Sequence, residues 1–228
     1  MQICGFQKLT LLDFPEKVAC IVFTAGCNFR CPFCHNASLV THIDNSAAIT
    51  EEEILEYLRK RKGLLDGVCI TGGEPLLHKD IEDFIAKIKQ EGFAVKLDTN
   101  GSFPERLISL VEKGLVDYVA MDIKNSKEKY SETAGVDNLE IENIEKSIDF
   151  LLKGKVPYEF RTTVVDGLHT TQDIVSIAQR IKGAKKYFLQ NCVDSGDIIV
   201  SGTKGVSREI LEEMCKMAQK NGLDAQIR

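Results

Sequence analysis

Three cysteines stand within eight positions: Cys27, Cys31 and Cys34, spaced C-x3-C-x2-C between Gly26 and Asn36. Thiolates this close can hold a metal centre or do redox chemistry, and packing alone does not explain them. Structural zinc takes four N/S ligands in a closed tetrahedron. The loop offers three sulfurs and His35, and no second C-x2-C pair follows. A [4Fe–4S] cluster normally takes four thiolates. Three on one loop leave one iron to a distant cysteine or to some other ligand, as open metal sites do. Phe29 and Phe33 would give such a cluster an apolar wall and restrict water.

Other polar groups recur at one kind of place. Gly72-Gly73-Glu74, Asp98-Thr99, Asp122 with Lys124, and His169 each follow a short apolar run that reads as a strand. The cysteine loop follows such a run too, Ala19-Cys20-Ile21-Val22-Phe23. The carboxyl ends of parallel strands share one face, and ligands bind there. One site built from all these segments is the economical reading.

The elements that would position them alternate. Strands are expected at Val68–Ile70, Phe93–Leu97, Tyr118–Met121, Tyr158–Val165 and Lys186–Gln190, with a short one near Asp224–Ile227. Helices are expected from a Thr50/Glu53 capping box to about Lys62, from an Asp80 cap to Gly92, and from Pro104 to Gly114. Three more run near Ile141–Lys153, from Thr171, and from Ser207 to Gly222. A polar stretch from Ala37 to Ser46 and a loop of about 15 residues after Lys124 read as connections. About six βα units imply a parallel sheet with right-handed crossovers. A full eight-fold barrel takes ~250 residues, so the expectation is an α/β single domain, an open, partial β/α barrel over residues 1–228. A flat doubly wound sheet has the same alternation.

Composition narrows the function class. The chain has 228 residues, a formal net charge of −5 and no dense Lys/Arg tract. That disfavours a nucleic-acid partner. No apolar run approaches the ~20 residues of a membrane span, and the start lacks a signal peptide's pattern. The default compartment is the cytoplasm, where clustered cysteines more often bind metal than form disulfides. Cys20, Cys69, Cys192 and Cys215 sit in or beside apolar runs and read as small buried hydrophobes. Cys4 is given no role.

The cysteine loop, with Phe33 before its third cysteine, resembles the signature of the radical S-adenosylmethionine (SAM) superfamily. Thr71-Gly72-Gly73-Glu74-Pro75 is similar to that family's second motif. The stretches Gly5–Pro15 and Val22–Asn36 resemble glycyl-radical-enzyme activating proteins, above all those for anaerobic ribonucleoside-triphosphate reductase. The resemblance implies that Cys27, Cys31 and Cys34 bind a [4Fe–4S] cluster whose open iron chelates SAM. One electron from the cluster then yields a 5′-deoxyadenosyl radical, which takes hydrogen from a backbone glycine of a partner glycyl radical enzyme. It implies SAM contacts at Phe33, Gly72, Gly73, Glu74, Asp98, Thr99, Asp122, Lys124 and His169. By similarity to the pyruvate formate-lyase activating enzyme, Asp98 and Asp122 would also hold a monovalent cation. A flavodoxin- or ferredoxin-type protein would supply the electron.

The plainer readings are a core aromatic for Phe33, a strand-to-turn glycine pair with a solvated Glu74, strand-end polar groups meeting water, and a structural loop histidine. Only 36 residues separate Cys34 from Thr71 and one of them, Cys69, is a cysteine, so no inserted cluster domain is expected. The C-terminal third has only Cys192 and Cys215, so none is expected there either. Anaerobic ribonucleotide reductase is the first choice of target. Pyruvate formate-lyase or another glycyl radical enzyme comes second. A small-molecule radical SAM enzyme, such as a deazapurine synthase, and a plain iron–sulfur or zinc module are the readings from other classes.

Overall fold

The computed structural model describes residues 1–43, 49–194 and 196–228. Eight strands form one sheet in sequential order. They are β1 (Ile3–Thr10), β2 (Ala19–Thr24), β3 (Gly67–Gly72), β4 (Ala94–Thr99), β5 (Tyr118–Asp122), β6 (Tyr158–Val164), β7 (Tyr187–Asn191) and β8 (Ala225–Ile227). Strands β2 to β8 run parallel, and β1 is antiparallel to β2. β1 and β8 stand at the two ends, so the sheet is an open partial barrel. The antiparallel β1 was not foreseen. Only its two end residues are buried, so no apolar alternation marks it.

The helices are α1 (Ala37–Thr41), α2 (Glu51–Lys60), α3 (Ile81–Gln90), α4 (Pro104–Glu112), α5 (Tyr130–Ala134), α6 (Ile141–Leu152), α7 (Thr171–Arg180) and α8 (Arg208–Lys220). Thr50 and Glu53 form the expected capping box. A second one, Thr170 with Asp173, starts α7. Asp80 makes no capping bond; its carboxylate accepts from the Met1 amine instead. The stretch from Ala37 contains α1, and Ser46 lies outside the described residues. The loop after Lys124 contains α5, which ends at Gly135 with φ +65°.

Side chains alternate across each strand. One face, with Val22, Val68, Ile70, Val95, Leu97, Val119 and Phe160, packs with the helices into the main core. The other faces the inside of the partial barrel. There Cys69 stands beside Lys96, Asp122 beside Arg161, and Thr163 beside Gln190 in register. The amino-terminal end of this interior is filled by Phe14 against Ala19 and Tyr118. The carboxyl ends of the strands are therefore the open end.

Candidate active site

A cavity of about 360 Å³ opens at the carboxyl ends of the strands. Its wall includes Cys27, Cys31, Cys34, Phe33, Gly72, Gly73, Glu74, Asp98, Thr99, Asp122 and Lys124. Segments from β2, β3, β4 and β5 thus converge as their positions after strands implied.

The cysteine loop is held by its backbone. Gly26 adopts φ +79°; its N–H donates to the Leu39 carbonyl (2.8 Å) and its carbonyl accepts from Glu74 N–H (2.8 Å). The Arg30 N–H donates to the Ala134 carbonyl at 2.8 Å, so α5 buttresses the loop. The Val200 N–H donates to the Pro32 carbonyl at 2.9 Å. Burial above all pushes the Cys27 thiol up to about 12, and nearby Glu74 adds to it. Burial also raises Cys31. Such thiols stay protonated until a metal replaces the proton. Among the described residues no three His, Cys, Asp or Glu side chains converge on one metal ion. Zinc needs its ligands within ~2.3 Å of a single point. Three thiols from one loop on the cavity wall are a donor set that fits an iron–sulfur cluster. His35, weighed as a fourth ligand, is exposed on the same cavity wall, with its Nε2 3.9 Å from Cys192 Sγ.

The glycine pair is required sterically. A Cβ on Gly73 would lie 1.8 Å from the Gly26 carbonyl oxygen. One on Gly72, at φ +111°, would lie 2.4 Å from Thr24 backbone atoms. The pair lets β3 close against the base of the cysteine loop. Glu74 is not solvated: it is 1% exposed. Its Oε1 accepts from Leu76 N–H (3.0 Å) and the Thr99 hydroxyl (2.9 Å), and its Oε2 from Asn100 N–H (2.7 Å). Burial outweighs these bonds and pushes its carboxyl up to about 7. A cationic group arriving in the cavity would restore its charge.

Asp98 and Asp122 are joined by a residue left out of the candidate set. Arg161 donates through Nε to Asp122 Oδ1 (2.9 Å) and through a terminal nitrogen to Asp98 Oδ2 (3.2 Å). Lys124 donates to Asp122 Oδ2 at 3.0 Å, and Lys96 to Asp98 Oδ1. Burial alone would raise both carboxyls, but Arg161 first, then Lys96 or Lys124, holds them below the usual range. The signal for Arg161 was period two: Glu159, Arg161 and Thr163 make one polar face of β6.

His169 does not line the cavity. It is buried behind the wall, its ring edge-on to Phe33 at 6.5 Å between centroids. Nδ1 accepts from Val165 N–H (3.1 Å), so the neutral ring donates through Nε2 to the Lys124 carbonyl (2.8 Å). Both nitrogens are thus engaged by backbone groups. The ring braces the Lys124 backbone. Asn100 and Asn36 were also missed. Asn100 donates to the Asn28 side chain at 3.0 Å, and Asn36 to the Gly72 carbonyl at 2.9 Å.

Among the proteins similar to this chain over more than two thirds of both chains are the following three. A protein of Methanocaldococcus jannaschii, named provisionally as a glycyl-radical enzyme activating enzyme, is 38% identical over 195 residues, 82% of this chain and 78% of its own. The pyruvate formate-lyase-activating enzyme of Staphylococcus aureus is 28% identical over 179 residues, 73% of this chain and 69% of its own. The crystal structure of a radical SAM methyltransferase from Sphaerobacter thermophilus superposes with a TM-score of 0.75 at 16% identity, covering 96% of this chain and 68% of the other. That last likeness is one of fold. The model of the radical SAM superfamily matches residues 21–181, the span from β2 through α7 that carries every cavity segment described above. The chain belongs to the radical SAM superfamily, whose cofactors are a [4Fe–4S] cluster and SAM.

Proposed function

We propose that this enzyme, as a single radical SAM domain, installs a glycyl radical on a partner enzyme, and that the partner is an anaerobic ribonucleoside-triphosphate reductase. The observation that carries the reading is the donor set: three cysteines, and no fourth among the described residues, on the wall of a cavity that also holds Gly72-Gly73-Glu74. The names of the M. jannaschii and S. aureus relatives support the glycyl-radical class. The Gly5–Pro15 and Val22–Asn36 segments favour the reductase. The S. aureus relative makes pyruvate formate-lyase the second target.

The donor set fits the cluster, and Cys27, Cys31 and Cys34 are its ligands. When bound, cluster and SAM together supply a one-electron cleavage of a carbon–sulfur bond and a carbon radical able to take hydrogen from a C–H bond. The protein's residues orient and shield. Gly72 and Gly73 allow the methionyl end of SAM to approach the backbone. Glu74, held by Leu76, Thr99 and Asn100, meets the cationic amine. Lys124, braced by His169 through its own carbonyl, faces a carboxylate or ribose oxygen. Asp98 and Asp122 orient the remaining polar groups, and Phe33 flanks the adenine and keeps water out. The open end of the barrel admits the partner's glycine loop, and a flavodoxin- or ferredoxin-type protein donates the electron.

The test of the target is anaerobic mixing of the reduced, reconstituted protein and SAM with each candidate partner, followed by EPR. A glycyl doublet on the reductase is expected. A doublet on pyruvate formate-lyase alone would overturn the choice of partner.

A further inference from the structure

The resemblance carries a monovalent cation held by Asp98 and Asp122, and this chain's residues do not fit one. A cation of that kind takes oxygen ligands. The two carboxylates offer four oxygens, and each already accepts from a cationic side chain. On Asp98 the donors are Lys96 and Arg161; on Asp122 they are Arg161 and Lys124. Three cationic side chains already face two carboxylates, so an added ion would enter a site whose negative charge is balanced.

Lys96 is the informative member. It points into the barrel beside Cys69 and is 2% exposed. Taking an ammonium out of water costs several kcal/mol after relaxation. An apolar side chain would fill the position without that cost, so packing does not account for the charge. Asp98 is its ion-pair partner. Burial is the largest single influence and would lower the ammonium's pKa, but the attraction of Asp98, the nearby Cys69 and the hydrogen bond to Asp98 together raise it, and Lys96 stays charged. Lys96 is absent from the cavity wall, whereas Asp98 and Arg161 are part of it. It acts through Asp98 and is a positioning residue.

We infer that the enzyme carries its own monovalent cation: the Lys96 ammonium, with the Arg161 guanidinium between the two carboxylates, fills the place of an inorganic ion. The inference rests on the reading that Asp98 and Asp122 face SAM. It predicts that the site works without sodium or potassium, and that removing the ammonium creates a demand for one.

The experiment compares wild type with Lys96→Met and Lys96→Gln in sodium, potassium or choline chloride at equal ionic strength, which holds screening constant. The first readout is thermal unfolding of the cluster-free protein with the sodium-23 NMR linewidth, neither of which needs SAM or iron. Wild type is expected to melt alike in all three salts and to leave the sodium line narrow. The variants are expected to melt higher in sodium or potassium than in choline and to broaden the line. The second readout is SAM cleavage by reconstituted protein: salt-independent for wild type, about tenfold slower for the variants in choline, and recovered by sodium or potassium. A wild type that responds selectively to sodium or potassium overturns the inference, whether or not the variants fold. So do folded variants without cation-selective response. A protein that never cleaves SAM defeats the functional reading instead, while the first readout still decides the cation.

Discussion

The two faces of one sheet are built from the same strands, one residue out of step, and they are held by opposite physics. On the helix-covered face Val68, Ile70, Val95, Leu97, Val119 and Phe160 are fully buried. Each contributes by leaving water, at roughly 25 cal/mol per Å². On the inner face Lys96, Asp98, Asp122 and Arg161 are held out of water by one another. Burying charges is at best neutral for stability against an apolar filling. The outer face therefore accounts for the fold. The inner face instead sets paired charges along the cavity wall.

That difference can be broken first at Arg161. Arg161→Met leaves Asp98 and Asp122 without their shared partner and is expected to cost about 3–5 kcal/mol, measured by urea denaturation, and to abolish SAM binding by calorimetry. Leu97→Ala on the opposite face is expected to cost a comparable ~2–5 kcal/mol through its cavity. In a folded preparation, however, it should leave SAM affinity unchanged. Equal loss of SAM affinity in both variants would erase the distinction between the faces.

A smaller effect sharpens the contrast through pH. The Glu74 carboxyl sits near about 7 in the fold against an ordinary 4.5. Between those values the folded state keeps a proton that the unfolded chain has released, so this group lowers stability as pH rises from about 4.5 to about 7. Denaturation at pH 5.5 and 7.5 is expected to show wild type losing more stability over that step than Glu74→Gln. The same slope in both would remove Glu74 as the cause. The smallest effect is expected at the rim. The Asp197 carboxylate accepts from the Ser38 N–H (3.0 Å) and hydroxyl (2.8 Å) at the start of α1. Asp197→Ala should cost about 1 kcal/mol, as other lost caps do, read by the same titration.

The legible part of the molecule is the part where sequence neighbours do the work. The cysteine loop, the glycine pair and the strand-end polar residues each follow an apolar run, so their common face could be read from parallel topology alone. Glu74 and Thr99 could be placed at the site, but not their mutual hydrogen bond, which needs β3 and β4 in register. Arg161 could be read either as reaching the cavity or as simply pairing with an acid, and Lys96 was missed, because strands were read as apolar runs rather than by alternation, and alternation alone marks an inner polar face. β1 carries too little burial for a pattern. α5 is a five-residue helix, too short for a periodic stripe. His169 was placed by its position after a strand, yet backbone groups on both sides take its two nitrogens.

The most direct measurement joins iron, SAM and one cysteine. Wild type and Cys31→Ala are reconstituted anaerobically with iron and sulfide, reduced, and given SAM. Iron content, the EPR signal of the reduced cluster and 5′-deoxyadenosine are then followed. Wild type is expected to hold four irons per chain, as one [4Fe–4S] cluster, and to release 5′-deoxyadenosine with methionine, while Cys31→Ala loses both cluster and product. A wild type that holds the cluster but leaves SAM intact, or a Cys31→Ala protein that keeps the cluster and cleaves SAM, would contradict the account.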